Sequence, residues 1–259
     1  MLDLVKVIFL AAVQGLTEFL PISSSGHLGL ASHFVNFNPP GLIFEVTTHA
    51  GTLLAVLVYY RKRLSRILQE LNQRASAGRK EVLYLIVATV PVGLVGVLYG
   101  DALEPLFDSP AFICAMLITT GMILLSLVFV RPDSNRPLSL RSAVYIGLAQ
   151  AMAIFPGISR SGTTITVARH LGLSPRTAAE FSLLLMLPAI GGATLMSVGD
   201  VIRDGTGELS ITELALAFSV SAAVGYGAII LMVRALTKGV FKWFGLYCLI
   251  IGFVGMLLI

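Results

Sequence analysis

Charge is what this sequence has least of. Only 12% of its 259 residues are Asp, Glu, Lys or Arg, against about 25% in soluble domains. Hydrophobic residues make up 56%, and the mean hydropathy is +0.89. A soluble domain is thereby excluded, and an integral membrane protein is expected. Cysteine is nearly absent: Cys114 and Cys248 lie in apolar stretches, one in each half. They read as small packing residues, which leaves no disulfide framework and no cysteine metal site. Short alternating segments are also missing, so a transmembrane β-barrel is excluded. The net charge of +4 comes from loops and is no sign of nucleic-acid binding. Lys6 before a short apolar run faintly resembles a signal peptide. Asp3 in the would-be basic region, and a cut near 13 just ahead of a motif, favour retained structure.

What the chain does have is an internal echo. Gln14-Gly-Leu-Thr-Glu-Phe-Leu-Pro-Ile-Ser-Ser-Ser-Gly26 aligns without a gap on Gln150-Ala-Met-Ala-Ile-Phe-Pro-Gly-Ile-Ser-Arg-Ser-Gly162, with six of thirteen positions identical. Gln, Ser and Gly are not what apolar helices share by default. Each copy is an apolar segment broken by Pro or Gly and followed by serines. Such breaks at matching places in two halves point to a site buried between membrane repeats.

Six apolar runs are near the roughly 20 residues that span a bilayer: about 42–60, 82–100 and 111–130, then 177–199, 213–233 and 243–259. The motif regions, 4–35 and 139–172, each have two helical arms around a polar centre. A non-helical centre at membrane depth must be buried in protein or face a water-filled cavity. Both regions are therefore predicted to be re-entrant hairpins. The expected fold is an all-α polytopic membrane protein with six full transmembrane helices and two re-entrant helical hairpins. It divides into a first repeat, 1–132, and a second, 133–259. Fifteen of the eighteen Lys and Arg, among them Arg61–Arg63, Arg66, Arg74, Arg131, Arg176 and Lys238, then fall on one side. That side is cytoplasmic by the positive-inside rule. The opposite loops hold Asp101, Glu104, Asp108, Asp200, Asp204 and Glu208. Three spans per half is an odd number, so the repeats have inverted topology, both chain ends lie outside, and the hairpin tips can meet near the midplane.

Ionisable groups inside spans cost roughly 2.5–3.5 kcal/mol each on insertion scales. Glu18 and His27 in the first hairpin and Arg160 in the second therefore ask for a purpose. Gln14 and Glu18 share one helix face. Ser23, Ser24 and Ser25, like Ser159 and Ser161, stand where a second arm begins, where serine caps a helix and free N–H groups favour an anion. With Arg160 between them, two such helix starts would make a phosphate cradle. Other ionisable groups have plainer readings: Glu45 at i−4 gives His49 a helical partner, Arg176 gives Glu180 one, and His33 and His170 lie toward hairpin ends.

The pair Gln-x-x-x-Glu-Phe-Leu-Pro-Ile-Ser-Ser-Ser-Gly-His (14–27) and Pro-Gly-Ile-Ser-Arg-Ser-Gly-x-Thr (156–164) resembles the signature of the bacterial undecaprenyl-diphosphate phosphatases, the bacitracin-resistance type. The likeness covers essentially the whole chain. It implies a hydrolase of the bacterial inner membrane that removes the terminal phosphate of undecaprenyl diphosphate and recycles the lipid carrier for peptidoglycan synthesis. By resemblance Glu18, Ser24, His27 and Arg160 match catalytic positions. Gln14, Ser23, Ser25, Gly26, Ser159, Ser161, Gly162 and Thr164 would line the substrate. The family depends on a divalent cation, Mg²⁺ or Ca²⁺, which Glu18 would bind. Many relatives carry a Glu where this chain has Gln14, so its motif offers one carboxylate.

The expected mechanism is diphosphate hydrolysis in a cavity facing outside, with Ser24 as nucleophile and His27 as its proton partner, or with Ser24 orienting an activated water. The rival reading is a secondary transporter or flippase of a lipid phosphate or other anion, because inverted repeats with broken helices are that class's architecture. A transporter has no use for a serine–histidine pair.

Overall fold

The computed structural model describes residues 2–35, 41–73, 76–131, 134–204 and 209–259. Arg74, Glu208 and the expected repeat boundary between 132 and 133 lie outside them. Every regular element among the described residues is helical: α1 (Leu2–Phe19), α2 (Ser24–Phe34), α3 (Gly41–Tyr59), α4 (Arg61–Glu70), α5 (Ala77–Phe107), α6 (Pro110–Leu125), a 3₁₀ turn (Ser126–Phe129), α7 (Leu140–Met152), α8 (Arg160–His170), α9 (Pro175–Asp204), α10 (Ile211–Thr237) and α11 (Lys242–Leu258).

Local chemistry explains the breaks. Pro21 disfavours helical geometry at Leu20, and α1 stops at Phe19. Ser23 then caps α2 by accepting the Gly26 N–H at 3.3 Å, and Ser159 caps α8 by accepting that of Gly162 at 3.1 Å. The two motif copies thus give the same helix–break–helix unit, as the serines predicted. Ser210 and Glu213 form a reciprocal capping box at the start of α10.

Four segments are long and apolar enough to cross a membrane: Ala77–Gly100, Pro110–Phe129, Pro175–Ser197 and Ile211–Thr237. A fifth is reached if α3 and α4 count together, although they bend by 73° at Tyr60. The sixth expected span corresponds to α11, which is apolar but 17 residues long. The protein is therefore an all-helical, multi-pass membrane protein. The flank of α5 carries exposed Leu83, Ile86, Val90, Leu94 and Val97, a stripe that suits lipid and not water.

Packing is reciprocal between the halves. Arm α1 lies on α10, and arm α7 lies on α5; α3 pairs with α9, and α6 with α11. Small residues allow the approach, because lipid supplies no hydrophobic force between helices. A Cβ on Gly15 would sit 2.7 Å from the Ser221 carbonyl of α10, and one on Gly252 would sit 2.8 Å from the Cys114 carbonyl of α6. The buried core runs through Phe19, Val56, Ile165, Leu185 and Met186 and takes in Leu20 and Ile22 of the first helix break.

Candidate active site

The two breaks meet. Gly157 donates its N–H to Ser25 Oγ at 3.4 Å, and Ser161 Oγ donates to the Leu20 carbonyl at 3.3 Å. Gly157 has φ +97°, and a Cβ there would come within 2.5 Å of the Ile113 carbonyl, so this corner needs glycine. On Gly26 a Cβ would lie 3.3 Å from Gly157 Cα, and on Gly162 3.2 Å from Pro21 Cβ. Ser25, Ser161, Gly26 and Gly162 therefore join the tips. Thr120 reinforces the joint, donating to the Gly157 carbonyl at 2.9 Å and accepting the Ser159 N–H at 3.0 Å. Thr164 of α8 is buried, with its hydroxyl on the Arg160 carbonyl and 2.6 Å from Ser182 Oγ.

Glu18 is the centre of the joint. It lies in the last turn of α1, its residue is 6% exposed, and helical spacing puts Gln14 one turn back on the same face. Gln14 Nε2 donates to Glu18 Oε2 at 2.8 Å, and Ser24 Oγ donates to the same oxygen at 2.8 Å. Arg160, the first residue of α8, reaches across to donate from Nη2 to Oε1 at 2.7 Å. Ser24 and Arg160 occupy equivalent positions in the two motif copies, so one carboxylate is gripped by both hairpins. A buried carboxylate requires such pairing.

Residues beyond the expected set complete the pocket. His49 of α3 places Nδ1 3.2 Å from Gln14 Nε2 and 3.7 Å from Glu18 Oε2. An amide NH₂ can only donate, so Nδ1 accepts here. The expected pairing of His49 with Glu45 is corrected: its polar contacts are with Gln14 and Glu18, because α3 packs beside α1. Glu180 is likewise bound to Arg63 at 2.9 Å and not to Arg176, because the corner at Tyr60 carries Arg63 over the start of α9. His27 does not meet Ser24. Its Nδ1 lies 2.8 Å from the Ser23 carbonyl and must carry the proton, so Nε2 accepts from the Tyr247 hydroxyl at 2.8 Å. The His27 and Tyr247 rings stack at 5.5 Å between centroids. Nothing in the apolar run of α11 signalled Tyr247. His49 was visible as a rare ionisable group, but its partner was not.

Ser23, beside this pocket, has φ +72° and is the only non-glycine residue with positive φ among the described residues. Strain of this kind, of order 1–3 kcal/mol, collects at functional sites.

A membrane protein whose buried polar centre is built by two joined helix breaks is the class that fold and site define. The chain belongs to the family described as bacitracin resistance protein BacA, which matches residues 7–254. It is 39% identical to undecaprenyl-diphosphatase 1 of Bacillus licheniformis over 261 residues, covering 97% of this chain and 96% of that one. It is 39% identical to undecaprenyl-diphosphatase of Rubrobacter xylanophilus over 258 residues, 95% of each chain. It is 37% identical to undecaprenyl-diphosphatase of Rhodopirellula baltica over 261 residues, covering 100% of this chain and 99% of that one.

Proposed function

We propose that the chain hydrolyses undecaprenyl diphosphate to undecaprenyl phosphate and phosphate, recycling the lipid carrier of cell-wall synthesis. The observation that carries this reading is Glu18, bound at once by the Ser24 hydroxyl and the Arg160 guanidinium. Relatives 37–39% identical over nearly the whole chain bear the name of that activity.

Ser24 is the nucleophile in this reading. Its proton goes to Glu18, the acceptor it already faces, as its oxygen attacks the terminal phosphorus and the bond to the bridging oxygen breaks. Water then releases phosphate from the serine. In a one-step variant Ser24 orients a water whose proton goes to Glu18. Arg160 spends one N–H group on Glu18, so its other guanidinium N–H groups are open to phosphate oxygens. Charge stabilisation of this kind is the main work of a phosphoryl-transfer site. His27, held by the Ser23 carbonyl and Tyr247, does not take the Ser24 proton in this reading.

The resemblance also implies a divalent cation, and the donor chemistry fits one. Glu18 offers a carboxylate, and the Gln14 side-chain carbonyl takes no hydrogen bond. No cluster of three His, Cys, Asp or Glu suited to a metal occurs among the described residues. Glu18 and Gln14 would hold Mg²⁺ or Ca²⁺ together with substrate oxygens and water. When bound, the cation would offset diphosphate charge.

The architecture goes with this reading: six spans (α3, α5, α6, α9, α10, α11), two re-entrant hairpins (α1–α2 and α7–α8), and inverted repeats 1–132 and 133–259 in the inner membrane, with the cavity facing outside. The reciprocal packing of α1 on α10 and α7 on α5 supports it. The serine–carboxylate bond at the centre favours hydrolysis over lipid-phosphate transport.

The test is phosphate release from a polyprenyl diphosphate by purified protein in detergent. Release is expected, and it should be lost in Ser24→Ala and Glu18→Gln. Release that survives both substitutions would move the active site elsewhere, and none from the wild type would refute hydrolysis.

A further inference from the structure

The helical corner at Tyr60 borders a second polar space, half open to the surroundings. α4 leaves α3 at 73° and lies across the end of the bundle, with Ile67 buried beneath it. Between α4, the start of α9 and the end of α10 is a cavity of about 820 Å³. Lys62, Arg63, Arg66 and Arg176 line it against one carboxylate, Glu180. Arg63 is already committed, bonded to Glu81 and paired with Glu180. Among the described residues, Lys62, Arg66 and Arg176 have no carboxylate within 4.0 Å.

Three exposed cations without a carboxylate partner gather on one half-open pocket, where a shared anion would relieve their mutual repulsion. The positive-inside rule accounts for basic loops, but it does not make cations from two separate segments converge on a cavity. Hydroxyls add to the lining. Ser174 caps α9, accepting the Thr177 N–H at 3.1 Å, so the positive end of a long helix opens here. Tyr60 also lines the space.

We propose that this cavity is a second anion site that binds a phosphate group, either in the headgroup of an anionic phospholipid or as free phosphate. It is separate from the Glu18 pocket: His49 and Tyr59 are ten residues apart on α3, roughly 15 Å at 1.5 Å per residue. The volume is that of a pocket for a whole small molecule and exceeds what a bare phosphate fills. Basic pockets between transmembrane helices on the cytoplasmic side are suited to acidic headgroups. The headgroup is therefore the source expected.

The experiment is a native mass-spectrometric titration of the intact protein, purified in neutral detergent, with dioctanoyl phosphatidylglycerol, dioctanoyl phosphatidylcholine and inorganic phosphate. Phosphatidylglycerol should bind at least about tenfold more tightly than phosphatidylcholine. Each of Arg66→Gln and Arg176→Gln should weaken it about fivefold, and the pair about 25-fold. Both side chains are exposed, and phosphatase turnover should stay unchanged in the variants. Lys238→Gln, exposed and outside the cavity lining, should bind like the wild type. Inorganic phosphate that binds with the same variant losses and displaces the lipid would assign the site to free phosphate; no displacement assigns it to the headgroup. Equal binding of both lipids with none of phosphate, or an equal loss in Lys238→Gln, would overturn the site.

Discussion

Removing the Arg160 guanidinium tests catalysis and architecture together. Its bond to Glu18 is 2.7 Å long, and the side chains are 15% and 4% exposed. Arg160→Ala leaves a buried carboxylate without its cation, a loss of about 3–5 kcal/mol for a broken buried pair. Ser24 and Gln14 still donate to Glu18, so the lower end of that range is expected. Replacing both partners, as in Glu18→Gln with Arg160→Met, should recover most of the stability, because no unpaired charge remains. Catalysis should follow a different order. Loss of the group that stabilises transferring charge costs roughly 10²–10³ in rate, and the double variant cannot regain it. Arg160→Lys should restore only part, since an ammonium cannot bond Glu18 and grip two phosphate oxygens in a planar fork. Thermal unfolding and phosphate release should be measured on the same detergent preparations of all four proteins. Normal turnover per folded molecule in Arg160→Ala, beside a lowered melting temperature, would show that Arg160 is a strut and refute the phosphate role.

His49→Ala should keep the fold but lower kcat/KM by about 2–12-fold, the worth of one hydrogen bond of roughly 0.5–1.5 kcal/mol that positions Gln14 and Glu18; steady-state kinetics on polyprenyl diphosphate measure it. Gly157→Ala meets the Ile113 carbonyl at 2.5 Å in a left-handed conformation and should melt well below wild type. Gly227→Ala, with nothing within 4 Å on the middle of α10, should be neutral or stabilise by up to about 1 kcal/mol, and unfolding curves compare the two. Because Cys114 and Cys248 are fully buried, a cysteine placed at Lys238 gives a clean signal. It should react with an impermeant thiol reagent only in permeabilised cells, and reaction in intact cells would invert the proposed topology. An impermeant chelator outside spheroplasts should stop phosphate release; full activity under that treatment would reverse the cavity's orientation or remove the cation.

Much of this protein is legible in its sequence alone. Hydropathy set the solvent, and the Pro, Gly and Ser at matching places set where the helices break, because these are local preferences of the backbone. The four-residue spacing of Gln14 and Glu18 gave their shared face for the same reason. Span count was less legible: the corner at Tyr60 and the short α11 depend on how helices stack at the bundle's end, and apolar runs do not encode that.

Partners across the chain were decided by tertiary structure alone. The sequence could list Ser24, His27, Arg160 and His49 as costly or unusual groups. It could not say that Ser24 would face Glu18, that His27 would turn to Tyr247, or that His49 would leave Glu45 for Gln14. The His49 contact joins α1 and α3, which both come close to α10 through Gly15 and Gly51 on Ser221. A spacing rule reports which residues share one helix face; which face meets which is fixed only when the helices pack.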